Sequence, residues 1–87
     1  MNQPQYYTTQ SLSLATAIQA LSPAKLEDIE LSPTDQRATF YFDRTRDTQL
    51  DQLIASFWAR QLPIDSFTYF ETLKYLKSRL YEAKHAR

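Results

Sequence analysis

The sequence predicts an α+β domain: a small antiparallel sheet of two to three strands, covered on one face by helices, in the order β-α-β-β-α-α. Two observations carry this reading. Arg37 to Asp43 reads Arg-Ala-Thr-Phe-Tyr-Phe-Asp, so in an extended chain Ala38, Phe40 and Phe42 line one side while Arg37, Thr39, Tyr41 and Asp43 line the other. After it the apolar period lengthens: Leu50, Leu53, Ile54, Phe57 and Trp58 recur at i, i+3, i+4, i+7 and i+8, one face of a helix.

The elements follow in chain order. Tyr6 to Thr9 joins aromatic to β-branched residues, as a short strand does. Ser11 is placed to cap a helix whose narrow stripe is Leu14, Ala17, Ile18 and Leu21, and Ser22-Pro23 ends it because the residue before proline leaves helical geometry. Lys25 to Leu31 reads as an exposed edge strand, with Ile29 and Leu31 sharing a face with Glu27 and Lys25, and Leu26 sharing the other with Asp28 and Glu30. Ser32 to Gln36 is a polar turn that makes a hairpin with the Arg37 strand. Asp47 or Thr48, the latter paired with Asp51, is expected to cap the Leu50 helix, which Pro63 stops. Asp65 or Ser66 caps the last helix, whose expected apolar stripe is Tyr69, Phe70, Leu73, Leu76 and Leu80. The short connection implies that the last two helices stay neighbours, with Ala38, Phe40 and Phe42 anchoring the core beneath them.

Eighty-seven residues suit one domain and are too few for two. The expected limits are a flexible arm at 1–5, the domain at 6–82 and a basic tail at 83–87. Hydrophobic residues at 43% and aromatic residues at 14% argue for a core and against disorder. There is no cysteine, which excludes disulfides and thiolate metal sites, and the single histidine, His85, excludes histidine clusters. With no glycine, phosphate-cradling loops of the Walker and dinucleotide types cannot be built. The same lack implies that helix ends are closed by proline, asparagine-like caps or tertiary contacts in place of the usual left-handed glycine. No signal peptide or long apolar run is visible, so a cytoplasmic protein with no membrane partner is the expectation.

Net charge is zero but unevenly spread: residues 1–59 hold four basic against seven acidic residues, and residues 60–87 six basic against three acidic. Such polarity suits an oriented contact with another surface, although a solvated helix carries the same charges. Catalysis requires a nucleophile, acid or base held by partners, and few such groups occur. Asp43 and Asp47 are explained by strand ending and helix capping. No catalytic, metal or cofactor site and no small-molecule substrate is expected.

Contact residues are a different matter. Arg37 and Tyr41 on the outward strand face, with Arg44 and Arg46 beyond it, form the kind of surface on which bases stack while cations meet phosphates. Lys74 and Lys77 of the last helix can contact phosphate or lay their stems over the core. Trp58, diverging by about 100° from Phe57 on a helix, sits either in the core or at a margin suited to an interface, and Tyr75 is a further partner-contact candidate.

Tyr7-Thr8-Thr9, the Phe40-Tyr41-Phe42-Asp43 strand, Phe57-Trp58 and the closing Leu76-Lys77-Ser78-Arg79-Leu80-Tyr81 together resemble a small family of uncharacterised domains from bacteria and their mobile elements. The likeness spans Tyr6 to Tyr81 and rests on aromatic and aliphatic spacing, so it implies domain limits and no activity. The expectation is a non-catalytic interaction or adaptor module that binds a protein partner or a second copy. The alternative is a small nucleic-acid-binding accessory protein.

Overall fold

The computed structural model describes residues 5–35 and 37–85. Residues 1–4, most of the expected arm, lie outside the described residues. The elements are β1 (Tyr6–Thr9), α1 (Leu12–Leu21), β2 (Leu26–Leu31), β3 (Ala38–Asp43), a single 3-10 turn (Arg44–Arg46), α2 (Leu50–Trp58) and α3 (Ser66–His85). This is the expected α+β order, with the 3-10 turn added. Ala83, Lys84 and His85, expected in the tail, continue α3.

The sheet is antiparallel with strand order β1-β3-β2, so the alternating strand is the central one. Tyr7 lies opposite Phe42 and Thr9 opposite Phe40 on one side, and Ile29 lies opposite Phe40 and Leu31 opposite Ala38 on the other. Phe40 and Phe42 are fully buried at the centre of the core. β2 corrects the sequence expectation. Its pairing with β3 shifts between Leu26, opposite Phe42, and Asp28, opposite Tyr41. A β-bulge at that shift moves the side-chain alternation by one residue. Leu26 therefore joins Ile29 on the buried face instead of Asp28 and Glu30 on the outer one.

The helices cover that face unequally. Leu14, Ala15, Thr16, Ala17 and Ile18 of α1 are all buried, and five consecutive helical residues sweep through more than a full turn. The middle of α1 is therefore enclosed on every side, and α1 brings more buried residues to the core around Phe40 and Phe42 than α2 or α3 does. The expected stripe was too narrow, and its last member, Leu21, is exposed. α2 and α3 each pack on α1 rather than along one another, contributing the buried Leu50 and Leu76.

Local chemistry sets the boundaries. The Ser11 hydroxyl accepts from the Leu14 N–H at 3.2 Å and starts α1. Ser22 ends it, buried, with its hydroxyl donating to Asp47 at 2.5 Å and accepting from the Ala24 N–H at 2.9 Å. Asp47 also accepts from the Gln49 N–H at 2.9 Å, so one carboxylate ties the end of α1 to the approach of α2. The residue at the start of α2 is Gln49, with no side-chain cap bond, and Asp51 binds Arg44; the expected Thr48–Asp51 pair does not form the cap. Asp65 starts α3, accepting from the Thr68 N–H at 2.9 Å.

The end of α2 overturns the expectation about left-handed caps. Arg60 has φ 60°. Its N–H reaches the Phe57 carbonyl at 3.0 Å and the Gln61 N–H reaches the Ser56 carbonyl at 2.9 Å, the paired bonds of a Schellman closure. With no glycine to take the position, an arginine holds it against the steric cost that the Cβ imposes.

Candidate functional site

The outer sheet face carries Tyr41, but its neighbours are acidic. Tyr6 lies edge-on to Tyr41 with ring centroids 6.1 Å apart, and the Tyr41 hydroxyl donates to Glu30 at 2.5 Å. Asp28 sits opposite Tyr41 in the register. The bond to Glu30 is the main reason that the Tyr41 hydroxyl titrates above the ordinary tyrosine range, with the carboxylates of Glu30 and Asp28 adding to it. These two tyrosines, with Glu27, Asp28 and Glu30, border a shallow concavity that Ala83 of α3 also lines.

The arginines expected beside Tyr41 do not gather there. Arg37 stands at the opposite end of β3, 3.6 Å from Asp35 and 3.5 Å from Gln10. Arg44 turns toward the buried side, where its guanidinium lies over the Tyr7 ring at 5.9 Å and binds Asp51 at 2.8 Å. Arg46 pairs with Asp43 at 4.0 Å. Asp43 itself accepts from the Thr45 hydroxyl at 2.6 Å and the Thr45 N–H at 2.9 Å, and these bonds hold its carboxyl below the usual aspartate range. Asp43 and Asp47 are thus engaged with separate local partners.

A second surface lies where α2 and α3 diverge. The left-handed Arg60 redirects the chain through Leu62, Pro63 and Ile64. Phe57, Arg60, Leu62, Ile64, Tyr69 and Phe70 line an open groove of about 460 Å³. Trp58 stands on its margin, 63% exposed, with its ring edge-on to Phe57 at 5.0 Å. Phe70, assigned to the core by the sequence reading, is 64% exposed, and Phe67 one turn earlier is 71% exposed. Their solvent exposure follows from the packing of α3 through Leu76, since α2 does not close over its first turns.

Along α3 the remaining candidates separate. Tyr75 is exposed and its hydroxyl accepts from Arg79 at 2.8 Å, on a different side from Lys77. Lys74 lies 3.8 Å from Glu71. Phe70, Lys74, Lys77, Tyr81 and Lys84 are all exposed, and their spacings of 4, 3, 4 and 3 place them on one line of the helix. That spacing was available in the sequence and was masked by placing Phe70 in the core. Tyr81 stacks against His85 with centroids 4.2 Å apart.

Among the described residues, no group of three or more His, Cys, Asp or Glu is placed to hold a metal ion, and no helix is long and apolar enough to cross a membrane. Comparison with curated proteins and with solved structures gives no match. A family does match, over residues 4–82, which takes in every strand and helix up to the last turn of α3. The chain belongs to the family described as Domain of unknown function (DUF5659).

Proposed function

We propose that the protein is a non-catalytic interaction or adaptor module that binds a protein partner or another copy of itself. The observation that carries this reading is the apolar groove between α2 and α3, which Phe70, 64% exposed, lines and against whose Phe57 the 63% exposed Trp58 stands edge-on. Large aromatic side chains are the residues that most often anchor interfaces, and Phe67, one turn before Phe70 on α3, adds a third exposed ring. Capture with a tagged chain tests it. A partner or an oligomer should be retained by the wild type and lost by Trp58→Ala and Phe70→Ala variants that melt at the wild-type temperature. A strict monomer with no co-purifying protein would overturn it.

Contact with nucleic acid is the second reading, favoured by the line of Lys74, Lys77 and Lys84 interleaved with Phe70 and Tyr81. It predicts salt-dependent retention on single-stranded or duplex DNA or RNA, lost in Lys77→Glu/Lys84→Glu. The same test on Arg44→Glu/Arg46→Glu separates the loop arginines from the helix. An origin in bacteria or their mobile elements and a cytoplasmic place of action belong to the same proposal, and the neighbouring genes and fractionation of cell extracts test them.

A further inference from the structure

We infer that two copies of this chain pair about a two-fold axis, the basic and aromatic line of α3 in each copy lying on the acidic outer face of the other's sheet. This deepens the interaction reading, on which it rests, by naming a partner. Among the described residues no helix covers the outer sheet face, because all three pack on the side of Phe40 and Phe42. It presents Glu27, Asp28 and Glu30 with the Tyr6–Tyr41 ring pair. Among the described residues, the exposed Glu27 has no cation paired to it and the Glu30 carboxylate is engaged only by the Tyr41 hydroxyl.

The other half of the contact is the line Lys77, Tyr81, Lys84. Neither lysine has a carboxylate partner among the described residues, and all three side chains are exposed. The two surfaces match in spacing as well as sign. Glu27 is the extra residue of the bulge between Leu26 and Asp28, so it lies at most about 10 Å along the strand from Glu30. Seven residues of helix separate Lys77 from Lys84, about 10.5 Å. With the ammonium groups over the carboxylates, the Tyr81 ring falls between them, where Tyr6 and Tyr41 offer aromatic surface.

Among the described residues no ion pair joins the acidic face to the basic line within one chain. They are nevertheless contiguous, as Ala83 borders the acidic concavity. A surface with an acidic half and an adjoining basic half is self-complementary under a two-fold rotation, so one dimer satisfies both halves twice. Exposed charge pairs are individually weak, which makes the dimer salt-sensitive and dependent on protein concentration.

Sedimentation equilibrium of the full chain tests this. The expected result is a dimer at low ionic strength whose association weakens about tenfold or more as salt rises to several times the physiological level. Glu27→Lys/Glu30→Lys and Lys77→Glu/Lys84→Glu should each be monomeric, and mixing the two should restore a heterodimer, a result that also shows both variants to be folded. A monomer at low salt, or reversals that leave the dimer intact, would overturn the pairing. So would a dimer lost only in Trp58→Ala, which would leave the interaction reading standing through the α2–α3 groove. Salt-dependent binding of DNA or RNA by the α3 line without self-association would overturn the pairing in favour of nucleic acid.

Discussion

Replacing Arg60 by glycine should stabilise the protein. Arg60 occupies the left-handed position of a Schellman closure at φ 60°, where an L-residue with a Cβ costs about 1–2 kcal/mol relative to its ordinary conformations. Glycine removes that cost while leaving the N–H bonds from residues 60 and 61 to Phe57 and Ser56 in place. Against this, glycine gives the unfolded chain more freedom, which offsets about 0.4–1 kcal/mol. The net gain is about 0.5–1 kcal/mol, or a melting temperature higher by roughly 2–8 °C for a domain of this size. Arg60→Ala is the control, because alanine keeps the Cβ and with it the strain. Thermal unfolding followed by circular dichroism reads all three proteins. A glycine variant no more stable than wild type, or an alanine variant equally stabilised, would refute strain at this position.

Other consequences are equally direct. Phe40→Ala removes a side chain 1% exposed at the centre of the core and should cost about 3–5 kcal/mol in denaturant unfolding, a large part of the stability of a domain this small. A loss below about 1 kcal/mol would mean that the ring is not enclosed. Thr45→Val deletes the hydroxyl bond that contributes most to lowering the Asp43 pKa, so that pKa should move back up toward the usual aspartate value in a carbon-detected NMR titration, stopping short of it because the Thr45 N–H bond remains. Asp43 has its pKa lowered by folding, so its contribution to stability is present above the unfolded value and is lost as pH falls through the folded one. In the variant that loss should be smaller and complete at a higher pH, because only the folded value moves up; an unchanged Asp43 titration would contradict the hydrogen-bond assignment.

The sequence carried the architecture because its two periods are strong where they matter. Phe40 and Phe42 at period two and Leu50, Leu53, Ile54 and Phe57 at the helical period can be buried together in only one arrangement. Leu26 escaped that logic because a bulge breaks the period on which the reading depends, and no glycine or proline marks the bulge. α1 was underestimated for a related reason: alanines and a threonine say little about burial in sequence, yet their small volume is what lets sheet, α2 and α3 close around the helix. The candidate surface was legible in part. The angle between Trp58 and Phe57 left the tryptophan between core and margin, and its 63% exposure puts it outside the core. Phe70 was assigned to the wrong side, since helical spacing alone fits it to either of two adjacent stripes, and only the packing of α3 through Leu76 chooses between them. The clustering of arginines around Tyr41 failed because sequence proximity does not fix side-chain direction. Glu30 and Asp28 arrive beside Tyr41 from the neighbouring strand, whose register no local pattern reveals.

Trp58 is the only tryptophan in the chain, so its fluorescence reports directly on whether the α2–α3 surface is a contact surface. In the isolated, dilute protein its emission should be that of a solvated indole and iodide should quench it freely. In the complex or oligomer recovered with the tagged chain, the emission should shift to the blue and the quenching should fall. Equal quenching in the free and associated states would contradict the assignment of this surface to partner binding.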